Sequence, residues 1–210
     1  MRLAIFDMDG TVVDTIYDIH ACLNKTLTVY GFSTVELDMT KQYVGSGMRQ
    51  LIINAVGEHD LTDMMEIYFR SVYKEHMMNT TDIVSGFNEV LDYLKTNDIK
   101  AVIISNKLRQ ITDDMINQLG ITEYFDQWYG GDSFGVKKPS PIGVQGIMSE
   151  FKVKPNDSIM IGDSYSDILA GRNAGVRTCF CTYGYGTLKD MEADFTVFSP
   201  SEIIDVLEAF

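Results

Sequence analysis

Cysteine is scarce in this chain and cations are outnumbered. Cys22, Cys179 and Cys181 are its three cysteines, an odd number with no metal-ligand spacing, which argues against a zinc site or a disulfide framework. The reducing cytosol is the expected compartment. Cys179 and Cys181 stand two apart, so on a strand they face one side, as small buried hydrophobes. Seventeen Lys and Arg stand against thirty Asp and Glu, a net charge of -13. A field of that sign disfavours nucleic acid and anionic membrane as partners, and a phosphate site within it needs local cations and a metal. No apolar run approaches the ~20 residues of a membrane helix, and no charged-then-apolar leader opens the chain. Repeats, low-complexity tracts and charge blocks are missing as well. His20, His59 and His76 have no neighbours that suggest a triad or a metal set.

What is present is a core. At 45% hydrophobic residues in 210, the chain has enough apolar side chain for one domain with a large insert or for two small ones. Leu3-Ala4-Ile5-Phe6 reads as a short, fully buried strand. A long helical stretch follows. Its first helix carries Ile16, Ile19, Leu23, Leu27 and Val29 and ends near Gly31; a second, after Gly45-Ser46-Gly47, carries Leu51, Ile52, Ala55 and Val56. A third runs from about Leu61 to Met78 through Met64, Ile67, Tyr68 and Val72, with the local methionines expected as core filler. From Ser85 the rhythm alternates. Phe87, Val90, Leu91 and Leu94 form an amphipathic stripe. Strands are expected at Ala101–Ile104, Gln127–Gly131, Ser158–Ile161, Arg177–Cys181 and Phe195–Phe198, separated by helices and closed by a helix through Ile203 and Leu207. Strands alternating with helices imply an α/β fold, a Rossmann-like parallel sheet covered on both faces. The expected division is a core of residues 1–13 and 82–210, with a small helical domain, 14–81, inserted after the first strand.

Ligands of such sheets bind beyond the carboxyl ends of the strands. There the sequence places polar residues of complementary kinds: Asp7, Asp9 and Thr11 after the first strand, Ser105 and Asn106 after the second, Lys137-Lys138-Pro139 after the third, and Asp163 and Asp167 after the fourth. Singly, each has an ordinary reading as a turn former, helix cap or first-turn acid, and D-x-D-G also opens calcium loops. Together they match phosphoryl transfer, which needs a nucleophile, a metal, a cation and hydrogen-bond donors. An Asp carboxylate can attack phosphorus and a second acid can move the proton. Paired carboxylates leaving a strand suit Mg²⁺.

The order D-M-D-G-T, S-N, K-P-x-P and G-D-S-x-x-D resembles the haloacid dehalogenase (HAD) superfamily of phosphohydrolases across essentially the whole chain. The resemblance implies Asp7 as nucleophile and Asp9 as general acid/base. It implies Mg²⁺ held by Asp7, the Asp9 backbone carbonyl and Asp163. Ser105 would bind a phosphate oxygen, with Thr11 and Asn106 beside it. Lys138, chosen over Lys137 because it directly precedes Pro139, would steady the nucleophile and the phosphoryl charge, and Asp167 would brace that lysine or the metal shell. The helical insert resembles a type I cap. Asn106-Lys107, Gly45-Ser46-Gly47 and Tyr183-Gly184-Tyr185-Gly186 resemble the phosphoglycolate phosphatase branch, which implies a small phosphorylated metabolite as substrate. Arg49 is a candidate for a substrate carboxylate or a solvated helix charge. A phosphomutase of the beta-phosphoglucomutase type and a phospho-Asp signalling module are the alternatives, and the oligomeric state, monomer included, is left open.

Overall fold

A computed structural model describes residues 2–209. The chain begins with β1 (Leu3–Phe6) and the short β2 (Val13–Asp14), then runs through four helices: α1 (Ile16–Val29), α2 (Leu37–Tyr43), α3 (Met48–Val56) and α4 (Asp63–His76). The short β3 (Asp82–Ile83) returns it to the sheet region, where α5 (Phe87–Thr96), β4 (Lys100–Ile104), α6 (Arg109–Gln118) and β5 (Gln127–Tyr129) follow. Next come α7 (Ile142–Phe151), β6 (Ser158–Gly162), α8 (Tyr165–Ala174), β7 (Arg177–Cys181), β8 (Phe195–Val197) and α9 (Glu202–Ala209). Six strands form one sheet in the order β5-β4-β1-β6-β7-β8, with every pairing parallel. The α/β class expected from the alternating pattern is the class observed.

Strand periodicity explains how the sheet is covered. Leu3 and Ile5 point to the face that packs on Val144, Ile147 and Ala170 of α7 and α8. Ala4 and Phe6 point to the other, where Phe87, Val90, Ile116 and Ile203 of α5, α6 and α9 lie. Phe6 meets the rings of Phe87 and Phe125 edge-on, at 5.7 and 6.3 Å between centroids. Burial of side chains of this size contributes roughly 1.5–3 kcal/mol apiece, and both faces of β1 are fully buried. Strand order reverses at β1, because the chain first builds outward to β4 and β5 and then returns to β6 on the other side. Such a reversal leaves a crevice at the carboxyl ends of the central strands. Phe6 pairs in register with Ile103 and with Ile161, so Asp7, the Ser105 region and Asp163 leave the sheet at one level.

Helices α1 to α4 pack on one another within the segment flanked by the antiparallel β2–β3 ribbon, Val13 opposite Ile83 and Asp14 opposite Asp82. Asp18, buried in the first turn of α1, accepts hydrogen bonds from the Thr80 and Thr81 backbone N–H groups and from Thr80 Oγ1 at 2.7–3.1 Å. The two ends of the segment are thereby held together.

Several expectations for these helices need correction. In α4 the buried stripe is Met65, Phe69, Val72 and Tyr73, whereas Met64 and Ile67 are exposed. Apolar residues occupy two adjoining faces of that helix, and packing against α1 selects the second. Met39 is likewise exposed, and so is Val29 at the end of α1; of that methionine set Met65 and Met77 are buried, and Met48 and Met78 pack partly buried against the core. Helix α2 has no apolar stripe and buries only Thr40, so periodicity gives it no signal. All three cysteines are free and buried.

Candidate active site

The first turn after β1 brings the acids into place. Asp7 continues the ladder by donating its N–H to the Ile161 carbonyl at 2.8 Å. Its Oδ1 takes a hydrogen bond from Lys138 Nζ at 2.7 Å. The same ammonium lies 2.7 Å from Asp167 Oδ1 and donates to the Ile104 carbonyl at 2.6 Å. Lys138, rather than Lys137, therefore faces Asp7, while Lys137 lines the cavity beyond. Burial alone would lower the Lys138 pKa, but the Asp167 and Asp7 charges hold it above the usual lysine value.

Asp163, at the end of β6, accepts from the Tyr185 and Gly186 N–H groups through Oδ2 at 2.6 and 3.1 Å. This approach is close on every side. A Cβ on Gly184 would stand 2.3 Å from the Asp163 side chain, and one on Gly10, where φ is +78°, would stand 2.4 Å from Asp163 Oδ2. Glycine at these positions lets two turns close over one carboxylate. Asp167 reaches back to the Ser164 N–H at 3.0 Å, so it caps α8 while also facing Lys138.

Three buried carboxylates, Asp7, Asp163 and Asp167, offer oxygens within 4.8 Å of one another, against the single ammonium of Lys138. Burial, followed by the Asp167 charge, pushes the Asp7 carboxyl up to about 7, with Lys138 opposing. Burial and the charges of Asp7 and Asp167 likewise raise Asp163 well above the carboxylate range. An excess of buried negative charge of this kind calls for a cation. Asp167 uses Oδ2 on Ser164, and its Oδ1 meets Lys138 as an ion pair without a hydrogen bond of good geometry. Asp7 Oδ2 and Asp163 Oδ1 take no hydrogen bond from the described residues. This hard, oxygen-only donor set fits Mg²⁺.

Asp9 occupies the other side of the turn. Its Oδ1 accepts from Thr15 Oγ1 at 2.6 Å and from Lys107 Nζ at 2.7 Å. Asp7 and Asp9 line one cavity of about 260 Å³, whose walls include Ile19, Leu51 and Phe69 from the helical segment, Leu108 before α6 and Ile111 within it. Ser105, buried at the end of β4, accepts from the Lys107 N–H at 3.1 Å.

Of three further expected substrate contacts, Asn106 and Arg49 are paired within the protein and Thr11 lies outside the cavity. The Asn106 amide donates to the carbonyls of Gly45 and Lys138 at 2.7 and 3.0 Å and accepts from the Lys138 N–H at 2.9 Å. It positions Lys138 and joins it to the glycine loop of the helical segment. Thr11 is fully buried and does not line the cavity; its Oγ1 has no hydrogen-bond partner among the described residues. Arg49 does line the cavity, yet it is more than half exposed and pairs with Glu66, with Asp63 at 3.9 Å.

The sequence motifs contain Lys107 and Tyr185 but assign no role to these residues, which join the two halves of the site. Lys107 was quoted only as part of a motif; it pairs with Asp9 and sits 5.1 Å from the centre of the Tyr73 ring. Tyr185 donates its hydroxyl to Asp14 and accepts from the Thr15 N–H at 2.8 Å, linking the loop over Asp163 to the start of α1. Tyr73 carried no signal beyond an apolar helix position.

Comparison with known proteins adds an independent line. The profile of the haloacid dehalogenase-like hydrolase family matches residues 4–181. A phosphoglycolate phosphatase of Aquifex aeolicus is 33% identical over 208 residues, covering 99% of this chain and 97% of that protein. A phosphoglycolate phosphatase of Vibrio vulnificus is 31% identical, covering 99% and 96%. Among solved structures, a predicted phosphoglycolate phosphatase from Haemophilus somnus superimposes with a TM-score of 0.89 at 24% identity, covering 99% of this chain and 98% of that one. The last likeness speaks to the fold alone.

Proposed function

The chain belongs to the haloacid dehalogenase-like hydrolases, and we propose that it is a Mg²⁺-dependent phosphatase of small phosphomonoesters, with 2-phosphoglycolate its first substrate. The observation that carries this reading is the buried group of Asp7, Asp163 and Asp167 around the one ammonium of Lys138. The names of the relatives in Aquifex and Vibrio support the substrate.

Chemistry follows from the positions. An Asp7 carboxylate oxygen attacks phosphorus, forming a P–O bond to Asp7 as the bond from phosphorus to the ester oxygen breaks. Asp9 gives its proton to the departing alkoxide; in the second half it takes a proton from water, which attacks the aspartyl phosphate and returns inorganic phosphate and free Asp7. Lys138 offsets charge on Asp7 and on the phosphoryl oxygens, and Asp167 fixes where that ammonium sits. Ser105 is the proposed donor to a phosphoryl oxygen. Mg²⁺ would be held by Asp7, Asp163 and the Asp9 backbone carbonyl, and it supplies Lewis-acid stabilisation of the transferring oxygens. Residues 14–81 act in this reading as a cap over the crevice, shaping the leaving-group site and excluding water. Three free, buried cysteines suit the cytosol as its compartment.

Release of inorganic phosphate from a panel of phosphomonoesters, with Mg²⁺ and after chelation, tests the proposal. Release that stops on chelation and returns with Mg²⁺ is the expected result; equal release without metal would overturn the metal assignment.

A further inference from the structure

Two polar groups in the cavity have hydrogen-bonding capacity that the protein does not use. Lys107 Nζ carries three donors. One goes to Asp9 Oδ1 at 2.7 Å, and the Tyr73 hydroxyl is the other polar group that interacts with this ammonium, so at least one donor is left over. Its side chain is only 12% exposed, so bulk water does not readily serve the rest. The Tyr73 hydroxyl is buried and has no hydrogen-bond partner of good geometry among the described residues. The Lys107 ammonium lies over the Tyr73 ring, and both residues line the cavity that contains Asp7 and Asp9. Buried donors without acceptors are costly, and here two of them, one charged, adjoin the position of the leaving group. Around them stand Ile19, Leu51 and Phe69 on one side and Leu108 and Ile111 on the other, with Arg49, Arg70 and Lys137 also on the cavity wall.

We propose that Lys107 and Tyr73 form the subsite for a carboxylate on the leaving group, so that the enzyme selects phosphate esters of α-hydroxy acids over plain alkyl phosphates. Resting on the phosphomonoesterase reading above, this says which part of the site recognises the leaving group. A carboxylate one carbon from the ester oxygen brings acceptor lone pairs to both donors while the phosphoryl group faces Asp7. Arg70 and Lys137 line the same cavity, but neither pairs with Asp9 as Lys107 does among the described residues. Arg49, the cation that sequence alone offered for this task, already pairs with Glu66 and is more than half exposed. The Lys107–Tyr73 contact also joins the loop after β4 to α4, so the subsite is complete only when the helical segment lies against the sheet domain.

The test compares 2-phosphoglycolate with ethyl phosphate, which has the same two-carbon chain without the carboxylate. The quantity read is the ratio of their kcat/KM values in wild type, Lys107→Met, Tyr73→Phe and Arg49→Ala, with Mg²⁺ present. A ratio is unaffected by the fraction of a variant that folds. The expected result is a wild-type ratio that falls about tenfold in Lys107→Met and severalfold in Tyr73→Phe, the scale of losing a charged and a neutral hydrogen bond to the ligand. A ratio that holds in either variant, or that collapses in Arg49→Ala instead, overturns the subsite but leaves the phosphatase reading standing. No phosphate from either ester would overturn the phosphatase reading itself.

Discussion

Lys138 Nζ stands 2.7 Å from Asp7 Oδ1, although the two residues are 131 positions apart in the chain. The parallel sheet creates this relationship. Asp7 leaves β1 at its carboxyl end, and Asn106, just beyond the neighbouring β4, grips the Lys138 backbone from both sides. One ammonium is then shared by the proposed nucleophile and by Asp167, which closes the capping box with Ser164 at the start of α8. The electrostatics around Asp7, Asp163 and Asp167 depend on that cation and on whatever metal joins it.

Lys138→Met removes the cation and leaves Asp7 and Asp167 buried without it. Breaking a buried pair on one side costs about 3–5 kcal/mol, so equilibrium denaturation without metal is expected to show a loss of that order, and phosphatase assays a loss of at least about a hundredfold. A variant within 1 kcal/mol of wild-type stability and active at a similar rate would show that the pair matters to neither.

Asp9→Asn keeps the shape of the turn but cannot give up a proton. Removing general acid catalysis costs about 10²–10⁴, and the deficit should be largest for alkyl phosphates. With p-nitrophenyl phosphate, whose leaving group needs little protonation, the deficit of the first step should shrink. Equal deficits for both esters in single-turnover measurements would argue against the acid role.

Mg²⁺ bound to the folded protein alone must stabilise it, by about 2.7 kcal/mol at a hundred times its Kd. Wild-type Tm is therefore expected to rise with Mg²⁺, and Asp163→Asn, which removes a proposed ligand charge, should lose most of that rise. The same metal-dependent shift in both proteins would place the ion elsewhere.

Asp18 makes a prediction about pH. Burial by itself would raise its pKa, but the hydrogen bonds from Thr80 and Thr81 reverse this and hold it below the ordinary value of 3.8. A folded-state pKa below the unfolded one stabilises the fold above the unfolded pKa; that contribution is lost as pH falls through the folded value. Asp18→Asn is expected to cost about 2 kcal/mol at pH 7, with the gap to wild type narrowing below about pH 4. A gap that is constant down to pH 2 would mean that the charge of Asp18 is not what ties α1 to residues 80 and 81.

The sheet strands were legible because parallel strands buried on both faces read as short apolar runs, and β1, β4, β6 and β7 fall where those runs lie. Asp7 and Asp163 could be picked out because they follow such runs directly, and Lys138 because it stands before Pro139-Ser140-Pro141. Helix α2 was not legible, since a surface helix that buries one threonine carries no apolar period. The buried face of α4 was misread because Met64 and Met65, and likewise Ile67 and Tyr68, offer two stripes, and only α1 decides between them. Lys107 and Tyr73 meet from opposite parts of the chain, and Asn106 turns its amide to Lys138 rather than to the cavity. Contacts of this kind between distant segments leave no local trace.

The most direct test of the account is phosphate release from 2-phosphoglycolate in the presence of Mg²⁺, with wild type and Asp7→Asn side by side. If Asp7 carries the phosphoryl group, Asp7→Asn remains folded and loses at least about a thousandfold in kcat, as removal of a nucleophile does elsewhere. Turnover by Asp7→Asn near the wild-type rate would contradict the covalent mechanism and with it the role given to every residue around Asp7.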